Sequence, residues 1–249
     1  MLIAGLNKTT LLDYPGHVAA TIFTGACNFR CPFCHNAGLV LTPSSAEMYS
    51  EEDVFSFLKK RRNVLQGVCI TGGEPTLQVD LPDFILKVKE LGYSVKLDTN
   101  GYKPEVLEDL LQAGLLDYVA MDIKNSPSKY ELTAGVGLEF QKIQKSVELL
   151  KSSKINYEFR TTVIKEFHTL EDLCEIGKWI KGCPKYYLQQ FVESDNLIGM
   201  PDVVSAQQTD DVLGSSGLHS YNKTEMEVLM TGVQKILGDG CRVELRGVS

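Results

Sequence analysis

Three cysteines, Cys27, Cys31 and Cys34, crowd into the segment Thr24-Gly25-Ala26-Cys27-Asn28-Phe29-Arg30-Cys31-Pro32-Phe33-Cys34-His35-Asn36. A loop this short brings three thiolates within reach of one soft metal centre. Zinc held by Cys27, Cys31, Cys34 and His35 is one reading. His35 adjoins Cys34, however, and a neighbouring residue rarely turns back on the same metal. A four-iron cluster usually takes four cysteines, so three would leave one iron open to bind something else. The other cysteines, Cys69, Cys174, Cys183 and Cys241, are scattered and read as small core hydrophobes. A total of seven argues against a complete set of disulfides.

Further motifs end the apolar runs. Thr71-Gly72-Gly73-Glu74-Pro75 carries two glycines that let the backbone approach a ligand and a carboxylate that can accept from an ammonium. Strand alternation puts Lys96 with Asp98, Asp122 with Lys124, and Glu158 with Arg160 on one face. Val95, Leu97, Met121, Ile123, Tyr157 and Phe159 take the other. Parallel sheets are rarely bare on one side, and buried charge pairs seldom improve stability over apolar packing. The pattern therefore predicts a polar cavity for a zwitterionic or charged ligand, lined in part by Arg160.

The elements that must position these residues alternate. Runs at Val18–Phe23, Val68–Thr71, Ser94–Asp98, Tyr118–Ile123, Tyr157–Ile164 and Tyr186–Phe191 read as strands. Helical patterns follow Ser50, then run at Leu81–Leu91, Pro104–Ala113, Phe140–Ser152, Leu170–Ile180 and Asn222–Leu237, with Cys241–Leu245 as a final strand. Ser50 and Asp53 look like a capping pair in which Asp53 reaches back. Such alternation predicts an α/β fold with a parallel sheet, an open partial (β/α)6 TIM-like barrel ahead of a doubly wound sheet. One domain is expected over 1–249: an N-terminal extension at 1–17, a long polar loop at 193–221, and a C-terminal helix and strand at 222–249. The loop is either functional or disordered.

Composition narrows the function class. With 25 basic and 32 acidic residues, a net charge of -7, the chain has no general attraction for nucleic acid. The basic run Lys59–Arg62 reads as one end of an amphipathic helix. No apolar run reaches the ~18 residues a membrane span needs, and the start lacks the pattern of a secretion signal, so a cytoplasmic location is expected.

The cysteine segment, Cys-x-x-x-Cys-x-aromatic-Cys after a strand, resembles the cluster motif of radical S-adenosylmethionine enzymes. The resemblance implies one [4Fe-4S] cluster on Cys27, Cys31 and Cys34, with S-adenosylmethionine on the open iron. It also implies reductive cleavage to methionine and a 5′-deoxyadenosyl radical. Gly72, Gly73 and Glu74 match the segment that holds the amino group. Asp98-Thr99-Asn100-Gly101, Asp122-Ile123-Lys124 and Cys34-His35-Asn36 are similar to the glycyl-radical-enzyme activating enzymes. By that match Lys124 meets the carboxylate or ribose side of S-adenosylmethionine. Asp98, Thr99 and Asp122 sit where that family binds a monovalent cation, and Phe33, Cys34 and His35 border the adenine. Asp13-Tyr14-Pro15-Gly16 departs from the family pattern at Tyr14.

With Gly5-Leu6 near the start, Gln189-Gln190-Phe191 on the sixth strand and Glu244-Leu245-Arg246-Gly247 at the end, the chain is most similar to the short activating proteins of anaerobic ribonucleoside-triphosphate reductase. This resemblance implies an oxidoreductase that takes hydrogen from a partner's glycine and draws electrons from a flavodoxin- or ferredoxin-like donor. With no second cysteine cluster downstream, a single cluster is expected. A short radical enzyme acting on a small molecule is the second reading, and a zinc-stabilised binding protein the third. His17, His168 and His219 look like loop residues without a role.

Overall fold

The computed structural model describes residues 1–42, 48–194, 197–199 and 217–248. Most of the predicted 193–221 loop lies outside the described residues. In chain order the elements are β1 (Ile3–Thr10), β2 (Ala19–Thr24), α1 (Ala37–Leu41), α2 (Glu51–Arg61), β3 (Gly67–Gly72), α3 (Leu81–Glu90), β4 (Ser94–Thr99), α4 (Pro104–Gln112) and β5 (Tyr118–Asp122). They continue with α5 (Tyr130–Ala134), α6 (Phe140–Ser152), β6 (Asn156–Val163), α7 (Leu170–Trp179), β7 (Lys185–Gln190), α8 (Lys223–Leu237) and β8 (Arg242–Arg246). The chain divides into two compact units built from interleaved segments: 1–28, 38–121 and 141–157 in the first, and 29–37, 122–140 and 158–249 in the second.

In the first unit β2, β3, β4 and β5 pair in parallel. Parallel strands are covered on both faces, which explains why Ala19, Ala20, Ile22, Val68, Cys69 and Ile70 are all buried. The segment 1–17, to which the sequence assigned no element, contains β1, paired antiparallel to β2 from Ile3↔Thr24 to Thr10↔Ala19. Its exposed Asn7, Lys8 and Thr9 hide the strand alternation. The amide of Asp53 donates to the Ser50 hydroxyl at 3.1 Å, and that hydroxyl donates back to the Asp53 carboxylate at 2.6 Å. Asp53 thus accepts from the capping side chain, whereas a capping box accepts from the backbone amide.

Tyr14, the residue that departs from the family pattern, is a buried plug in the first unit. Its ring stacks on His17 at 4.1 Å and tilts against Tyr118 at 6.1 Å. A Cβ on Gly67 would come within 2.8 Å of the same ring, so β3 starts on a glycine where Tyr14 packs beneath it. Burial pushes the Tyr14 hydroxyl up to about 12.

In the second unit β6, β7 and β8 are parallel neighbours. Helices α7 and α8 begin with full capping boxes, Thr169 with Asp172 and Asn222 with Glu225. Buried Cys183 and Cys241, just ahead of β7 and β8, bring their Sγ atoms to 3.2 Å.

Candidate functional site

The loop leaving β2 is shaped by backbone contacts. Ala26 is left-handed, φ 67°, alone among the described non-glycine residues. Its amide donates to the Leu39 carbonyl at 2.9 Å, while its own carbonyl accepts from the Glu74 amide at 2.8 Å. Gly73 donates to the Thr24 carbonyl at 2.8 Å. The sequence reading had the two glycines admitting a ligand; the structure adds another demand on them. A Cβ on Gly72 (φ 115°) would lie 2.3 Å from Thr24 N, and one on Gly73 would lie 1.8 Å from Ala26 O. Both glycines let the end of β3 lie against the strand end that leads into Cys27.

Glu74 is 1% exposed. One carboxylate oxygen accepts from the Thr76 amide (3.2 Å), the Thr76 hydroxyl (2.6 Å) and the Thr99 hydroxyl (2.7 Å); the other accepts from the Asn100 amide (2.7 Å). Burial pushes its carboxyl above the usual range, and these bonds offset only part of that rise. Glu74 therefore ties the ends of β3 and β4 together. Asn100, quoted in its motif but given no role, donates from Nδ2 to Asn28 Oδ1 at 2.8 Å. Asp98 is ion-paired with Lys96, whose ammonium is buried and also lies 3.7 Å from Cys69 Sγ.

The rest of the cysteine segment belongs to the second unit. The Arg30 amide donates to Ala134 O at 2.8 Å, and a Cβ on Gly135 would lie 2.1 Å from Arg30 O. Cys31 is buried, Cys34 is half-buried, and the Cys34 amide donates to Cys31 O at 3.0 Å, closing a turn. The Phe33 ring packs on Phe167 at 6.1 Å and the His35 ring on Phe191 at 5.6 Å.

Of the charged residues that alternation put on one face, Lys96 pairs with Asp98 and Lys124 with Asp122, while Arg160 meets Asp122 and Glu158 meets Arg246. Asp122 accepts from Lys124 Nζ at 3.0 Å and from Arg160 at 2.8 and 2.9 Å. Burial alone would raise its pKa, but Arg160 and Lys124 together bring it down to about 2. Lys124 is held above its usual range against burial by Asp122 and by the nearby Cys31 thiol group. Glu158 is fully buried and takes both guanidinium nitrogens of Arg246 at 2.6 and 3.0 Å. That arginine, to which the sequence reading assigned no role, also lies over the Tyr187 ring at 3.4 Å. Val95, Leu97, Met121, Ile123, Tyr157 and Phe159 are buried, as the alternation predicted.

His168 is the main departure. Expected on a loop without a role, it is completely buried. Its Nδ1 accepts from the Ile164 amide at 3.2 Å, which fixes the proton on Nε2 to donate to the Lys124 carbonyl at 2.8 Å. Burial lowers its pKa from 6.5 to about 4, so it folds neutral. The unfolded chain takes up this proton near pH 6.5 and the folded one near pH 4. Stability due to His168 is therefore complete above 6.5 and falls by about 1.4 kcal/mol per pH unit below it, until about pH 4. Comparison of the acid limb of thermal melts is expected to show this loss in the native chain and its absence in His168→Gln.

These features define a class: an α/β chain whose strand ends carry a three-thiol loop, tight glycine turns and paired charges. Residues 21–180 match the sequence pattern of the Radical SAM superfamily, to which the chain belongs. It is 37% identical to a Methanocaldococcus jannaschii protein named "Putative glycyl-radical enzyme activating enzyme MJ1227", over 78% of this chain and 81% of that protein. A second protein of that organism with the same designation, MJ1632, is 26% identical over 71% of this chain and 68% of its own length. Among solved structures, Streptococcus suis SuiB bound to S-adenosylmethionine matches with a TM-score of 0.64 at 15% identity over 89% of this chain. The chain spans about half of SuiB, 48%, and the likeness shows a shared α/β fold. Among the described residues, no helix is long and apolar enough to cross a membrane.

Proposed function

We propose that this chain activates a glycyl radical enzyme, with the anaerobic ribonucleoside-triphosphate reductase as the partner best matched by its motifs. The observation that carries the reading is the 37% identity with a protein of that designation, joined to the three-cysteine loop. Cys27, Cys31 and Cys34 hold a [4Fe-4S] cluster. The donor set fits: three thiols without a fourth cysteine in the segment, and beside Cys27 a buried Asn28 Nδ2 that has no hydrogen-bond partner among the described residues. When bound, the cluster supplies the electron that splits S-adenosylmethionine into methionine and a 5′-deoxyadenosyl radical.

The chain's own residues bind and orient. Lys124, kept charged by Asp122, holds the carboxylate or ribose side of S-adenosylmethionine; Arg160 keeps Asp122 ionised so that Lys124 stays in place. Gly72, Gly73 and Glu74 form the turn that receives the ammonium end. Phe33 and His35 border the adenine, packed from behind by Phe167 and Phe191. Asp98, Thr99 and Asp122 are the candidate carboxylates and hydroxyl for a monovalent cation. A cytoplasmic site of action and a flavodoxin- or ferredoxin-like donor complete the reading.

The test is anaerobic incubation with dithionite and S-adenosylmethionine, with and without the reductase. 5′-Deoxyadenosine together with a glycyl radical by electron paramagnetic resonance supports it. 5′-Deoxyadenosine with no radical on the partner redirects it to a small-molecule substrate, and a colourless zinc protein ends it. Lys124→Ala is expected to weaken S-adenosylmethionine binding about 10- to 100-fold, the worth of one charge-assisted hydrogen bond, with iron content unchanged. Equilibrium dialysis with labelled S-adenosylmethionine measures this.

A further inference from the structure

The first unit contains a hydrogen-bond chain that leads to the first cysteine ligand. It begins at the Glu74 carboxylate, which accepts from the Asn100 amide at 2.7 Å. The side chain of Asn100 has one possible orientation, because its Oδ1 accepts from the Tyr102 amide at 3.0 Å. Its Nδ2 must then face the other way, donating to Asn28 Oδ1 at 2.8 Å. This bond in turn orients Asn28, since the opposite flip would set two NH₂ groups against each other. The second proton of Asn100 Nδ2 is left for Cys27 Sγ, 3.9 Å away. Asn28 Nδ2 ends the chain as a buried donor with no hydrogen-bond partner among the described residues. A buried unsatisfied amide costs about 1–3 kcal/mol, and native proteins keep few of them.

We propose that Asn28 and Asn100 are positioning residues for the cluster, donating N–H···S hydrogen bonds to its sulfurs and setting its reduction potential. Asn100 serves the Cys27 thiolate; Asn28, whose Oδ1 rather than Nδ2 lies 3.9 Å from Cys27 Sγ, serves an inorganic sulfide. This rests on the cluster assigned above. Reduction adds negative charge to the sulfurs, so a donor stabilises the reduced form and raises the potential. The two amides make the cluster easier to reduce by its electron donor, without touching the substrate.

The experiment is a redox titration of the reconstituted protein followed by electron paramagnetic resonance, for the native chain, Asn28→Ala, Asn100→Ala and the double variant. Each single variant is expected to keep about four irons and to show a reduced-to-oxidised ratio about tenfold lower at fixed potential. That is about 59 mV for a one-electron couple. Should the alanine variants lose iron, Asn28→Asp keeps the shape without the N–H and is expected to titrate lower still. Variants that hold iron and titrate with the native chain overturn the inference while leaving the function intact. Zinc in place of iron in the native chain overturns the function, and the inference with it.

Discussion

Cys31→Ala is expected to leave anaerobically reconstituted protein with less than one iron per chain, against about four in the native chain. The visible absorbance of the cluster should vanish in step, and 5′-deoxyadenosine production with it. Cys31 is the one buried member of the three, so neither water nor an added thiol can readily take its place. Cys27→Ala and Cys34→Ala are expected to fail in the same way. Cys69→Ala is the control. Its thiol is fully buried against Lys96 in the core of β3, so its loss should cost about 1–2 kcal/mol of stability and no iron. Equal iron in all four variants would remove the cluster from the cysteine loop altogether.

The second large effect needs no change to a ligand. Gly73→Ala places a Cβ 1.8 Å from the Ala26 carbonyl oxygen and 2.6 Å from its carbon, and neither backbone atom can rotate away. Relief requires giving up the Gly73 N–H bond to Thr24 and the Glu74 N–H bond to Ala26, two of the links between the end of β3 and the segment leading into Cys27. A loss of about 4 kcal/mol is expected. That corresponds to a fall in melting temperature of about 8–16 °C for a chain of this size. Iron retention should fall with it, although every cysteine remains. Gly38→Ala is the matched control: nothing lies within 4 Å of its Cβ position, so its melting temperature should hold or rise slightly. A Gly73→Ala chain that melts with the native one would mean that the β3 turn does not shape the cysteine loop.

Chemistry concentrated in a few consecutive residues was legible from the chain alone. The cysteine spacing, the Gly-Gly-Glu-Pro turn and the alternating charges on β4, β5 and β6 are local patterns, and a period of two fixes which side chains share a face. The pairs Lys96 with Asp98 and Lys124 with Asp122 followed for the same reason. Helix ends were equally local: Asn222 with Glu225 is a capping signature read within four residues. Partners distant in the chain were decided only by tertiary structure. Arg246 meets Glu158 across 88 positions, and His168 reaches the Lys124 carbonyl across 44. Nothing in the sequence around a histidine marks it as buried, since burial depends on what the rest of the chain places over it. Glu74 is the clearest case: sequence named it as an acceptor, and folding supplied its donors, from Thr76, Thr99 and Asn100. Spacing along a strand or loop determines which groups can act together. Which of them are already engaged is settled by contacts between segments that only the packed sheet brings within 3 Å.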